Sequence, residues 1–384
     1  MSATTGRPTS NISSPISARR ARLWHGAELW VDPEIDQGFG LSDTLGVAGF
    51  PSGEAYKVGN SYPCARLPRY FIRDTISLGG KAEKLEASAN QFEGAQTENR
   101  LVLTLGKFGV TDVFDTNKYA HDPRADWMNW AFVDTGSFDY AADAWGYTYG
   151  AAAEWYQGAW TLRAGVFDLS IEPNSEVLDP DFSQYQLVAE LEHRHELWGE
   201  PGKLAVTGFV SRARMGTYTA AVALAEATGQ PAEMAPVREY RSRPGIGFNA
   251  EQQVTPELGL FARAGIVDGE VEAYDFTDID RTFAAGLVLK GKHWGRPDDV
   301  VGLAGVINGI SSEHAAFFNA GGLGILVGDG ILPNPGPEEI LEAYYGFPIA
   351  KMTATLDYQF VNNPGYNEDR GPVSILGARL HTQF

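Results

Sequence analysis

Residues 373–384 read VSILGARLHTQF, and the side chains of this closing stretch alternate between apolar and polar. One face of the strand that they predict carries Leu376, Ala378, Leu380 and Phe384. The opposite face carries Gly377, Arg379, His381 and Gln383. In a membrane β-barrel such a strand turns its apolar face to lipid and its polar face to the lumen, and bacterial outer-membrane barrels commonly end on an aromatic residue. Soluble sheets alternate too, so the number of further strands of this kind decides the fold.

Alternating segments recur along the whole chain, and most are bounded by Gly, Pro, Asn or Asp. They are 24–31, 66–78, 100–107, 145–155, 160–166, 184–192, 204–211, 246–254, 258–266, 282–290, 300–308 and 351–360. Their polar faces mix Gly, Ala and Thr with Arg and Glu, as a crowded, wet lumen requires. Aromatic residues such as Trp155 and Trp160 gather at segment ends, where interfacial girdles lie. The pattern favours an all-β, antiparallel transmembrane β-barrel over a soluble β-sandwich or soluble β-barrel.

Composition narrows the class of protein. The chain has 384 residues, 44 glycines, one cysteine and a formal net charge of −19. It contains no run of 18 apolar residues, which excludes a helical membrane protein. The negative charge argues against nucleic acid or anionic lipid as the main partner. Cys64 has no second cysteine with which to form an intrachain disulfide.

The N-terminal residues 1–18 are rich in Ser, Thr and Pro and lack the apolar core of a secretory signal peptide. We therefore expect residues 1–20 to be unstructured or the product of a wrongly assigned start, and residues 21–384 to form one barrel domain. Three explanations stay open: the signal was removed for expression, the start site is wrong, or the barrel interpretation is wrong. We favour the second.

Four long connections, 32–62, 111–144, 215–243 and 311–347, show few clean strand patterns. Loops of this length are uncommon unless they are functional. In porins such loops lie on one rim, and some fold inward to narrow the pore. Within them, residues 215–235 predict a short helix, and residues 335–341 predict a turn leading into another.

Several strings in the chain resemble those of one protein family. They include GAELW at 26–30, PEIDQGFGL at 33–41, GVAGFPSGEA at 46–55, YAHDPR at 119–124, DYAADAWGY at 139–147 and NPGYN at 363–367. Together with further strings, they make the chain from about residue 24 to its end resemble the carbohydrate-selective porin family known as OprB.

This resemblance implies a single-chain barrel of about sixteen strands in the outer membrane of a Gram-negative bacterium, with short helices in long loops. It implies passive diffusion of glucose-like monosaccharides or small oligosaccharides into the periplasm, without catalysis, cofactor or metal. The implied partners are outer-membrane lipid, lipopolysaccharide and the barrel-assembly machinery, which would engage the strand ending at Phe384; the assembly would be a monomer or trimer. Family members carry at least one further strand before the segment matching residues 22–31, so a truncated start would leave the last strand without its neighbour.

A sugar channel needs hydrogen-bonding side chains, often as charged pairs, together with aromatic faces and several weak contacts. Strand parity turns Arg69 and Arg73 to the face opposite Tyr70 and Ile72, and we expect the loop after residue 31 to fold towards them. The predicted constriction residues are Glu28, Glu34, Asp36, Lys57, Arg69, Arg73, Glu154 and Arg163. The alternative is that these charges solvate a wide lumen and hold loops in place.

Aromatic residues divide by position. Trp155 and Trp160 lie on apolar faces and are predicted to be girdle residues. Candidate sugar platforms lie in loops, where packing against the inner wall is the alternative: Phe39, Phe50, Trp127, Trp130 and Tyr140.

Metal binding and catalysis find little support. His193 and His195 lie on one face of their strand and could bind a metal, but their place at an exposed strand end near Glu192 and Glu196 favours a solvated surface. The acidic residues from Asp112 to Asp122 lack the spacing of an EF-hand loop, and loop ordering is the better interpretation. No nucleotide-binding, serine-hydrolase or zinc-peptidase motif occurs. Three functions stay open: a sugar-selective porin, a general diffusion pore, and a soluble all-β carbohydrate-binding protein or enzyme.

Overall fold

One antiparallel sheet accounts for most of the protein. The structure is a computed structural model that describes residues 12–15, 19–38, 46–54, 60–88, 90–275 and 278–383. The strands are β1 (Ile12–Pro15), β2 (Arg19–Trp24), β3 (Ala27–Gly38), β4 (Asn60–Leu85), β5 (Gly94–Phe108), β6 (Thr148–Gln157), β7 (Trp160–Asp168), β8 (Tyr185–Leu197), β9 (Glu200–Met215), β10 (Glu239–Gln253), β11 (Leu258–Val267), β12 (Arg281–Lys290), β13 (Val300–Gly309), β14 (Glu338–Ile349), β15 (Met352–Asn362) and β16 (Val373–His381). The α-helices are α1 (Trp130–Val133), α2 (Tyr218–Thr228) and α3 (Ser312–Asn319), and short 3-10 helices occupy Val110–Asp112, Ala235–Val237, Gly291–Trp294 and Pro364–Tyr366.

From β3 to β16 every strand pairs with the next in the chain, while β1 and β2 both pair with β3. Short turns and long connections alternate, so one end of the sheet carries tight turns and the other carries long loops. In outer-membrane barrels the long loops face the cell exterior. Within the described ranges, β16 is registered with β15, and β1 and β2 with β3, so these strands form the two edges of the sheet.

The distribution of polarity is the reverse of that in a soluble sheet. Outward side chains are apolar and exposed, as shown by Leu191, Leu303 and Leu356, which are 48%, 44% and 57% exposed. Inward side chains are polar and buried, as shown by Arg263 and Asn249. A soluble sandwich would bury the first set and expose the second, so this wall is built to meet lipid. The soluble alternative is therefore wrong.

None of the helices in the described ranges is long and apolar enough to cross a membrane.

Each alternating segment of the sequence overlaps a strand, and the helix predicted within 215–235 is α2. The helix predicted after 335–341 is wrong, because strand β14 begins there at Glu338. Glu, Leu and Ala favour a helix locally, but Glu338 and Glu342 are buried on the inner face, where they accept backbone N–H groups from loops.

The connection predicted at 32–62 is partly wrong, because β3 continues to Gly38. Asp32, Glu34 and Asp36 alternate inward along it and are buried. Glu34 and Asp36 are therefore wall residues rather than loop residues.

The strand β1 and the first residues of β2 lie within the segment 1–20, for which the sequence predicts no regular structure. The division of the chain at residue 20 stays a prediction. Three residues with predicted roles, Phe39, Lys57 and Phe384, lie outside the described residues.

Candidate functional site

The connection between β5 and β6, residues 109–147, turns into the barrel; we call it the lumen loop. Its residues Phe114, Trp127 and Phe132 are buried. The inner wall makes room for it with small residues: a Cβ added at Gly259 of β11 would lie 2.0 Å from the Tyr119 ring. The glycines that alternate with apolar residues along these strands thus mark where the loop packs.

One end of the lumen loop is tied to β10 and β11 through Asp115. The Asn249 amide donates to Asp115 Oδ1 at 2.6 Å, and Arg263 donates to the Asp115 carbonyl at 2.9 Å. Arg263 also donates to the Phe132 carbonyl at 2.6 Å. Because these groups are buried, losing one partner would leave the others unsatisfied. Breaking this tether is therefore costly.

The middle of the lumen loop is tied to the last strands. Glu342 of β14 accepts the backbone N–H groups of Met128 and Asn129 at 2.7 and 3.0 Å. Arg379 of β16 donates to the carbonyls of Pro123 and Asp126 at 2.7 and 2.9 Å. The loop thus spans the lumen from β10–β11 to β14–β16, and the inward Arg379 confirms the polar face predicted for the closing strand.

Where the lumen loop leaves the wall, Arg69 of β4 forms an ion pair with Asp112 in the first turn of the loop; we call this pair the Arg69–Asp112 clasp. The Arg69 Nε and Nη2 atoms donate to the two carboxylate oxygens of Asp112, both at 2.7 Å. Nη1 donates to Tyr147 Oη at 3.3 Å and lies 3.6 Å from Glu34 Oε1. A planar guanidinium suits this two-pronged contact. Since most of its N–H groups are engaged, Arg69 positions its neighbours.

The ion pair with Arg69 changes the pKa of Asp112, which lies in the lumen loop. Burial by itself would raise the pKa of this carboxyl, but the Arg69 guanidinium and the Gly109 N–H outweigh it and lower the pKa to about 2. Asp112 is therefore ionised throughout the physiological range, and the clasp stays charged.

A small polar pocket, which we call the nook, opens beside the Arg69–Asp112 clasp. It is lined by Glu34, Asp36, Arg66, Leu67, Pro68, Lys107, Asp143, Trp145 and Tyr147. Its enclosed volume is about 50 Å³, which holds a few waters, so it is a recess in the pore wall and does not enclose a hexose. Arg66 stacks over the Trp145 ring at 4.1 Å, and Lys107 pairs with Asp143 at 2.7 Å. Carboxylates, cations and an aromatic face converge here, and these are the groups that bind sugar hydroxyls and ring faces.

Glu28 and Arg73 lie nearer the short turns, where they are cross-strand partners. Glu28 accepts the Trp30 indole N–H at 3.1 Å, and Arg73 donates to the Asn90 carbonyl at 2.8 Å. These two predicted constriction residues therefore belong to a different level of the pore from Arg69.

Glu154 and Arg163 form part of a third group, on β6 to β8. Arg163 contacts Glu154 at 3.0 Å, Glu190 at 2.6 Å and Glu192 at 2.8 Å, and its side chain is buried. Seven of the eight predicted constriction residues thus fall into three groups, and the eighth, Lys57, lies outside the described residues. The structure brings Glu34, Asp36 and Arg69 together.

The sequence missed much of this site. Trp145, Tyr147, Arg66 and the Lys107–Asp143 pair come from the rim and from the end of the loop, and no sequence spacing indicated their convergence. Asp112 was predicted to order its loop, and its pairing with Arg69 does so.

Four of the aromatic residues predicted as sugar platforms are buried: Phe50, Trp127, Trp130 and Tyr140. Phe50 and Trp130 stack on each other at 5.5 Å. The platform role is therefore wrong for these four, and packing against the inner wall holds. Trp155 and Trp160 are outward and half exposed, as girdle residues require.

A family model described as "Carbohydrate-selective porin, OprB family" matches residues 17–384. The chain belongs to the OprB family. A structure of OprB from Pseudomonas putida at high pH shares 19% identity with a TM-score of 0.69, over 97% of this chain and 86% of that one. OmpT of Vibrio cholerae without loop L8 shares 9% identity (TM-score 0.48; 96% and 94% covered), and OprD of Pseudomonas aeruginosa shares 8% (TM-score 0.44; 96% and 88% covered).

No curated protein matches the sequence at a significant level. The likeness to OprB of Pseudomonas putida shows the porin fold, in agreement with the inside-out wall. The OprB family is a family of channels. Membership of it supports an outer-membrane location and sugars as the permeating solutes.

Proposed function

We propose that this OprB-family porin selects sugars at the nook beside the Arg69–Asp112 clasp. The observation that carries the proposal is the convergence of Glu34, Asp36, Arg66 and Trp145 on one stretch of the pore wall. The carboxylates accept hydrogen bonds from hydroxyls, and the face of the Trp145 ring away from Arg66 offers an apolar surface for the sugar ring. Each contact is weak and exchangeable, as conduction requires.

The lumen loop supports this role because its last residues, Asp143, Trp145 and Tyr147, form one side of the nook. Its tethers at Asp115 and Glu342 are buried and hydrogen-bonded, so it holds a fixed position against a passing solute. A permeating sugar exchanges its water shell for these wall groups and moves on down its gradient. The porin performs no reaction in this proposal.

The inside-out wall also supports a proposal for the location and partners of the chain. We propose that the chain functions in the outer membrane and contacts lipopolysaccharide on its outer face. The strand ending at Phe384 would be the part that the barrel-assembly machinery engages. Monomer and trimer both stay open.

The test is current block by sugar in planar bilayers. Glucose is expected to interrupt the ion current of the wild type, and Trp145→Leu to raise the concentration needed for half block by roughly 5- to 10-fold, as loss of one aromatic contact implies. Trp155→Leu is the matched control, since that ring faces lipid. Equal block in the wild type and Trp145→Leu would refute the role of the nook.

A further inference from the structure

Three arginines lie on the outer wall at the rim of the long loops. They are Arg212 and Arg214 near the end of β9, and Arg281, the first residue of β12. Arg214 and Arg281 are exposed and Arg212 is half-buried. Alternation turns the β9 pair to the same face as the exposed Val206, and Arg281 to the face of Phe283. All three therefore point away from the lumen.

These arginines differ from those of the lumen in having no acidic partner. Arg212 donates to Ser242 Oγ at 3.4 Å and lies 5.9 Å from the centre of the Tyr240 ring. In the part of the chain that the structure describes, no carboxylate lies within ion-pair distance of the three guanidinium groups, whereas Arg163 contacts three. In a chain of net charge −19, such cations form a local positive patch.

The patch lies where lipid tails give way to headgroups. Register places Tyr240 beside Arg214 and Tyr185 beside Arg212. Tyrosines on the outer face concentrate at this boundary. On the side towards the membrane centre, β10 continues with Ile246, which is 52% exposed. A lipid with its tails on this apolar surface would therefore bring its headgroup to the arginines.

We propose that Arg212, Arg214 and Arg281 bind the phosphate groups of a phosphorylated glycolipid of the outer leaflet. Guanidinium groups match phosphate oxygens in geometry and charge. Three spacings of about 4.8 Å separate β9 from β12, and the register places Arg281 level with Gly208, four residues before Arg212. Arg212 and Arg281 are therefore roughly 20 Å apart along the wall, and their long side chains reach separate phosphates. The proposal rests on the outer-membrane location in the proposed function, but not on sugar selectivity.

The experiment measures lipid retention by the full-length porin. Purified protein in detergent is titrated with bisphosphorylated lipid A or with the same lipid after phosphatase treatment, and bound lipid is counted by native mass spectrometry. Each surface cation contributes about fivefold to the binding of anionic lipid, so R212Q/R214Q/R281Q is expected to weaken retention roughly 100-fold. The matched control is K81Q/K290Q/K351Q, which removes three exposed cations at the short-turn end.

Retention by the wild type and the control, with loss in the arginine variant and for the dephosphorylated lipid, supports the site. Equal retention of both lipids would overturn it, as would equal loss in the lysine control. Displacement of the lipid by millimolar inorganic phosphate would also overturn it, because the site would then take free anions.

Two further measurements keep these outcomes separate from misfolding and from the pore. The variant R212K/R214K/R281K keeps the charge and is expected to restore most of the retention, and heat-modifiable migration on gels reports folding. Glucose flux is expected to be unchanged in the arginine variant. A wild type that retains lipid A but shows no sugar selectivity would refute the proposed function alone.

Discussion

Removing Arg69 should raise the pKa of Asp112 enough for its protonation to be detected in a conductance measurement. In the wild type the Arg69–Asp112 pair holds the pKa of Asp112 at about 2, against an ordinary value near 4. This depression of nearly two pH units corresponds to at most about 2.5 kcal/mol of favourable interaction, and solvent screening reduces it because Asp112 is partly exposed. Because the folded-state pKa is depressed, that stabilisation is present above pH 4 and is lost as pH falls towards 2.

In Arg69→Gln the cation that lowers the pKa of Asp112 is gone, so the pKa of this partly exposed carboxyl should rise towards its ordinary value near 4. Single-channel conductance and cation selectivity, followed from pH 7 to pH 2.5 in planar bilayers, should then show a step between about pH 3 and pH 5. Arg73→Gln is the matched control: it removes one cation from the same face of β4, but away from Asp112.

The double variant Arg69→Gln/Asp112→Asn should lose the added step, since the titrating group is gone. A profile for Arg69→Gln that matches that of Arg73→Gln would refute the reasoning. So would a step that survives in the double variant, because another carboxylate would then be responsible.

Three further outcomes are expected. Gly265→Val places a Cβ 2.3 Å from Ser137 Oγ, which should dislodge the lumen loop and raise single-channel conductance; an unchanged conductance would contradict the packing. Leu303→Arg puts a charge on the lipid-facing wall, which should lower the free energy of unfolding in urea by about 2–4 kcal/mol; a value near zero would contradict the orientation of β13. Burial opposes the charging of His314 in α3, but Asp280 and Asp278 outweigh it and raise its pKa, so the packing of α3 is stabilised below about pH 6.5 and should loosen as pH rises through the raised pKa. Hydrogen exchange of residues 311–320, corrected for intrinsic rates, should show this loosening in the wild type and not in His314→Gln.

The strands could be predicted from the sequence because apolar and polar residues alternate with a period of two along most of each strand. The same parity placed Arg69 and Arg163 inward and Trp155 outward. Where local preference and tertiary contact disagreed, sequence failed. Glu338 and Glu342 lie in a stretch of helix formers, yet they extend as a strand because loop N–H groups require their carboxylates.

The constriction residues could be predicted only in part, for a different reason. Arg69 meets Asp112 and Tyr147 because a loop of about forty residues folds inward, and the path of such a loop depends on many weak contacts with distant strands. Alternation fixes the direction of a wall side chain but says nothing about which loop residue will face it. Trp127 shows the same limit from the side of the loop. Its sequence position suggested a sugar platform, but its ring is buried and anchors the loop to the wall.

Sugar selectivity itself can be measured by swelling of proteoliposomes that contain the folded, heat-modifiable porin. Initial rates would be compared for glucose and for an uncharged amino acid of similar size. We predict faster entry of glucose, because its hydroxyls and ring face match the carboxylates and the Trp145 face of the nook. Equal rates for the two solutes would contradict selectivity and leave a pore that sorts by size.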